Sequence, residues 1–180
     1  MLKLKLMFPL LFIAALGSVL AGVKDSSRAF SAPLDPIKAR SLCGRGERLV
    51  WSCQTARERK LASICSSQDL SRTRGYVQYR FGRPGQVELE FPRQRVSTQT
   101  LFRYSRYTRP LVTMLKLEFT NDGVTYTISD DSNDEEKPGR RDAVITITPA
   151  GANAKESTIS CRQPVTGSLM TLEDVVQRMD

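Results

Sequence analysis

The chain has 180 residues, with 27 Lys and Arg against 19 Asp and Glu, four Cys and no His, for a net charge of +8. The lack of His excludes Ser-His-Asp and Cys-His nucleophilic catalysis in their usual forms, and every His-ligated zinc, copper or haem site. No G-x-x-x-x-G-K-[ST] phosphate loop and no G-x-S-x-G nucleophile elbow occurs.

Residues 1–21 read as a secretory signal peptide. Lys3 and Lys5 form the positive end, Leu6 to Leu16 is an uncharged apolar run, and Val19-Leu20-Ala21 places small residues at −3 and −1, so cleavage is expected after Ala21. A membrane anchor is the rival reading, but Pro9, Gly17, Ser18 and Gly22 dilute an apolar stretch that is already short for a span. The first Cys, Cys43, is too late for a lipoprotein signal. The mature chain is therefore expected in the periplasm or outside the cell, without a membrane span. Residues 22–40 lack periodicity and read as a flexible lead-in to one domain over 41–180.

An even count of Cys in an exported chain argues for two disulfides. Cys53 and Cys65 lie near the ends of two short strands joined by a polar turn, which suggests pairing across that hairpin and leaves Cys43 to join Cys161. A four-Cys zinc site is not expected, because no C-x₂-C pair exists. No cofactor or metal is implied.

From Arg48 onward the dominant hydrophobic period is two, the strand period. Arg48 to Cys53 and Leu61 to Cys65 form a first hairpin candidate, and Gly75 to Phe81 with Val87 to Phe91 a second. Pairing Phe81 with Val87, Tyr79 with Leu89 and Val77 with Phe91 gathers the apolar side chains on one face. Arg80 and Gln78 then oppose Glu88 and Glu90 on the other, around a three-residue Arg83-Pro84-Gly85 loop. A strand near Leu101 to Thr108 follows. Leu115, Leu117 and Phe119 then alternate with Lys116 and Glu118, and Val124, Tyr126 and Ile128 alternate with Thr125 and Thr127 after Asn121-Asp122-Gly123. Ala143 to Thr148 and Thr158 to Cys161 read as further strands. Leu172, Val175, Val176 and Met179 follow helical spacing, with Thr171 and Asp174 resembling a capping box. The expected fold is mainly β, an antiparallel sandwich or barrel of eight or nine short strands with one short C-terminal helix.

Charge is uneven. Residues 22–120 hold 19 Lys and Arg against 8 Asp and Glu, while residues 121–180 hold 6 against 11. In the basic half, Arg103, Arg106 and Arg109 interleave with Tyr104 and Tyr107, the residue types enriched at interface hot spots. These five residues are the candidate binding surface. On a strand Arg106 would face away from Arg103 and Arg109. Asp130-Asp131-Ser132-Asn133-Asp134-Glu135-Glu136 is an acidic stretch. Asp131, Asn133, Glu135 and Asp142 fall at positions 1, 3, 5 and 12 of an EF-type loop, but Glu136 stands where Gly is needed, so a solvated loop or pairing with Arg of the same chain is expected instead. Gly75-Tyr76-Val77-Gln78-Tyr79-Arg80-Phe81-Gly82 is read as core. Glu88 and Glu90, two apart on a strand, suggest a solvated face more than a catalytic pair.

Trp51-Ser52-Cys53, Lys60, Ser63-Ile64-Cys65, Gly75-Tyr76, Gln78-Tyr79-Arg80-Phe81-Gly82, Gly85 and Glu88-Leu89 together resemble a family of small exported proteobacterial-type proteins. The resemblance spans about Cys43 to Cys161. It implies one exported domain with Cys53 and Cys65 close together, and no particular activity. The S-G-x-x-Y loop of periplasmic lysozyme inhibitors is absent. The combined reading is a non-catalytic exported binding protein of inhibitor or immunity type whose partner is another, acidic, protein. The alternatives are an envelope polyanion or glycan binder and, less in keeping with the residues, a carboxylate-dependent hydrolase. Nucleic acid is not expected as a partner.

Overall fold

The computed structural model describes residues 40–179 except 96, 98 and 152. The expected signal peptide, its expected cleavage site and the lead-in up to residue 39 lie outside the described residues. Ten strands follow in chain order: β1 Arg48–Thr55, β2 Leu61–Ser66, β3 Val77–Arg83, β4 Gln86–Phe91, β5 Arg103–Arg109, β6 Val112–Asn121, β7 Val124–Asn133, β8 Arg140–Pro149, β9 Ser157–Gly167 and β10 Gln177–Arg178. They form one sheet in the order β10-β5-β6-β7-β8-β9-β1-β2-β3-β4. All neighbours are antiparallel except β10, which lies parallel to β5. The sheet curls into a half-barrel. Phe91 of β4, at one end of the order, stacks on Phe119 of β6, near the other, with ring centroids 4.7 Å apart. Phe119 also stacks on Tyr126 at 5.0 Å and meets Phe102 edge-on. Each such pair adds about 0.5–1.5 kcal/mol beyond area burial.

The β6–β7 hairpin has the expected faces. Asn121 pairs with Val124 around Asp122 and Gly123, both with positive φ (50° and 76°), the twist-matched two-residue turn. Leu117 sits opposite Ile128 and Phe119 opposite Tyr126, so the alternating apolar residues line the concave side.

The β3–β4 register differs from the expected one by two residues. Tyr79 pairs with Phe91, Arg80 with Glu90 and Phe81 with Leu89, and the loop is Pro84-Gly85 alone. The shorter turn accounts for one step and a bulge between Phe81 and Gly82 for the other. Gly82 has φ 144°, and a Cβ there would collide with the Gln86 carbonyl oxygen. Because the shift is even, Tyr79, Phe81, Leu89 and Phe91 still share the inner face.

The expected C-terminal helix is not α-helical. Ser168 caps a 3-10 helix, Leu169–Leu172, by accepting from the Met170 N–H (3.2 Å), and a turn then leads to β10. Thr171 bonds back to the Ser168 carbonyl rather than opening a capping box. Of the four spaced residues, Leu172 and Val176 are buried against the concave face beside Leu169, while Val175 and Met179 are only partly buried.

The disulfides join Cys43 to Cys65 and Cys53 to Cys161, not Cys53 to Cys65 and Cys43 to Cys161 as the hairpin argument suggested. The register explains the correction. Cys53 lies opposite Ala62 near the turn, whereas Cys65 lies opposite Leu49 at the far end. Three strand residues separate the two levels, roughly 10 Å, beyond disulfide reach. Cys53 instead meets β9 on its other flank, where Thr55 pairs with Cys161. The Cys43–Cys65 disulfide pins residues 41–47 across the outer face of β2 and β3.

Candidate functional site

The Arg/Tyr segment is strand β5, and its alternation divides the five candidate residues between two faces. Phe102, Tyr104 and Arg106 share the concave side, while Arg103, Tyr107 and Arg109 face outward. Tyr104 is fully buried in the core, so it is corrected from a contact residue to a packing residue. Among the described residues, its hydroxyl has no hydrogen-bond partner. Burial, with Glu173 adding to it, pushes that hydroxyl up to about 12, so it stays protonated. Arg106 reaches Glu173 at 2.6 Å beyond the 3-10 helix.

The outward arginines also have partners within the chain. Arg103 pairs with Glu118, directly opposite on β6, and Arg109 makes a two-pronged contact with Glu135. The Arg109 guanidinium holds the Glu135 carboxyl below its ordinary value. The acidic stretch thus pairs with arginines of its own chain. Asp130 does the same deeper in the fold, where it is 4% exposed and takes two 2.7 Å bonds from Arg141. Arg141 also donates to the Val165 and Gly167 carbonyls, clamping the end of β9 to β7 and β8. Asp131 and Asp142 are cross-strand neighbours on the outer face. Burial raises the Asp131 carboxyl. Among the described residues, no three His, Cys, Asp or Glu side chains converge to hold a metal ion.

Beyond Ser105 and the exposed Lys116 opposite it, the outer face around β5 carries an apolar group. Tyr107 is 57% exposed and Met114, its partner on β6, 39%. Leu111, in the turn between the strands, is 60% exposed. With Pro110 fixing the first turn residue, Leu111 takes the second with φ 64°, a position that favours Gly or Asn. A bulky residue held there costs about 1–3 kcal/mol. Among the described residues, three of the six exposed large hydrophobics therefore lie within residues 107–114. Met114 carried a readable signal, since Leu115, Leu117 and Phe119 occupy the inner face and leave Met114 to the outer one. Leu111 carried one too, as an apolar residue following Pro in a tight turn.

A second cluster escaped the sequence reading. Arg80, placed by alternation on a solvated face, is 4% exposed. The strap 41–47 covers it. Its guanidinium binds Glu47 through both terminal nitrogens (2.5 and 2.9 Å), Glu90 at 2.8 Å, Gln78 at 2.5 Å and the Leu42 carbonyl at 3.1 Å. Tyr76 donates to Glu47 at 2.8 Å. Leu42 N–H bonds Ser63 Oγ at 3.0 Å, and Ser52 Oγ donates to the Arg40 carbonyl at 2.9 Å. Nothing in a single sequence shows that a segment more than thirty residues upstream will cover Arg80.

A cleft of about 380 Å³ opens between the β1–β2 turn and β9, within the range of small-ligand pockets, with Lys60, Phe81 and Ile159 among its walls. Lys60 lies over the Phe81 ring and is held by Glu58 at 2.5 Å and Glu88 at 2.8 Å. Glu88 and Glu90 thus answer different cations, Lys60 and Arg80. Among the described residues, no helix is long and apolar enough to cross a membrane. No protein-family model, curated protein or solved structure matches the chain.

Proposed function

We propose that this is an exported, non-catalytic binding protein whose partner is another protein, and that the contact surface is the outer face of the β5–β6 hairpin. The observation that carries this reading is the cluster of Tyr107, Leu111 and Met114, flanked by Arg103 and Arg109. Tyr and Arg around exposed apolar side chains are the composition of interface cores. A strained, exposed Leu111 fits a side chain retained for contact rather than for folding. The two disulfides suit an oxidising compartment such as the periplasm. An envelope polyanion is less well supported, because Arg103, Arg106 and Arg109 already have carboxylate partners.

The test compares oxidised wild type with a Tyr107→Ala/Met114→Ala variant, both immobilised and exposed to periplasmic and secreted fractions. A protein retained through high salt by wild type, and at least tenfold less by the variant, supports the reading once binding is repeated with the purified partner. Equal retention by both overturns the surface. Retention of envelope polymer alone, lost as salt rises, favours the polyanion alternative.

A further inference from the structure

We infer that two copies of this chain pair through the free edge of β5, antiparallel about a two-fold axis at Tyr107. This goes beyond the proposed binding role and does not depend on it. β5 bonds β6 along its whole length, but on its other side β10 covers only Arg103 and Tyr104. The Tyr104 carbonyl accepts from Met179 N–H at 2.8 Å, so Tyr104 points its backbone toward that side. By alternation, Arg106 and Thr108 do the same. Among the described residues, no backbone group bonds Ser105–Arg109 there. The open slot is five residues long, closed by β10 at one end and by the Pro110-Leu111 turn at the other.

That slot is complementary to itself. An antiparallel pairing centred on Tyr107 sets Arg106 opposite Thr108 of the second copy, where the two exchange both N–H···O bonds, and the two-fold repeats them. Ser105 then faces Arg109, and no Arg faces an Arg. Within one chain Arg106 already bonds the Thr108 hydroxyl at 2.9 Å, which shows that these two side chains are compatible neighbours. The two Tyr107 rings meet as a non-hydrogen-bonded pair, the closer kind, each with Met114 beside it on its own β6. A charged side chain facing the core side of an edge strand usually guards it against pairing. Here Arg106 is neutralised by Glu173. A heterologous strand would need no such two-fold match, and the neutralised arginines give it no charge to recognise.

The experiment is sedimentation velocity of the oxidised chain over a hundredfold concentration range. A shift from one copy to two as concentration rises is expected. Thr108→Pro should keep the chain monomeric, because it removes an N–H that faces away from β6 and leaves the hairpin bonds intact. Tyr107→Lys and Tyr107→Glu should each be monomeric alone and should recover the dimer when mixed, because residue 107 meets itself on the axis. A monomer at every concentration overturns the inference, as does a dimer that Thr108→Pro and Tyr107→Lys leave unchanged. Thr108→Pro retains the outer face, so undiminished partner capture by it separates this failure from that of the binding role.

Discussion

The Glu47 side chain is 3% exposed yet keeps its charge. Burial alone would raise its carboxyl, but hydrogen bonds from Arg80, the Gly44 N–H and Tyr76 outweigh burial and hold it at about 2 against an ordinary 4.5. The folded value lies below the unfolded one, so the stabilisation is complete above about pH 4.5 and is lost as pH falls toward 2. By linkage this amounts to about 3 kcal/mol at neutral pH. Glu47→Gln should lose about that much at pH 7, since Arg80 keeps Glu90 and the loss is that of one partner of a buried pair. Urea midpoints measured from pH 7 to pH 2 check it. The variant should show a flatter acid limb than wild type. Identical acid limbs would assign the acid sensitivity to other carboxylates.

At the scale of elements, close backbone approaches matter more than sequence pattern. Gly167 ends β9 beside Trp51 with φ 79°, and a Cβ there would collide with the Val50 carbonyl oxygen. Gly85 has the same φ in the β3–β4 turn with open space around it. Gly85→Ala should cost about 1 kcal/mol for conformation alone. Gly167→Ala should cost at least about 2 kcal/mol more, because backbone must move. Thermal unfolding of both variants separates the two effects, and equal losses would dismiss the collision. The same contrast explains what the sequence made legible. The β6–β7 hairpin was readable because turn, register and both faces are encoded in residues 112–133 alone. The β3–β4 register was not, because Gly82 carries no mark that distinguishes a bulge from a loop glycine. Tyr104 and Tyr107 look alike in a basic segment, and only the parity of β5 against Leu115 and Leu117 separates core from surface.

At the scale of the whole molecule, the order of strands is the information a single sequence withholds, and the disulfides depend on it. β1 has β2 on one flank and β9 on the other, so Cys53 bonds a strand 108 residues away, while Cys43 reaches β2 over a separation of 22. In the chain-entropy account these loops are worth about 5 and about 3 kcal/mol respectively. Cys53→Ala/Cys161→Ala should therefore destabilise the fold more than Cys43→Ala/Cys65→Ala if loop entropy alone decides. The shorter loop, however, holds the strap that carries Glu47 onto Arg80. Losing it loosens a buried ion pair as well as a crosslink, which narrows or reverses the ranking. The pH dependence tells the two contributions apart. Cys53→Ala/Cys161→Ala should keep the fall in stability between pH 4.5 and 2, because the strap remains tied. Cys43→Ala/Cys65→Ala should weaken it, because a freed strap lets Glu47 titrate near its ordinary value. Should both double variants keep the full acid dependence, the strap would be held by its hydrogen bonds to Ser52, Ser63 and Arg80 without help from the crosslink.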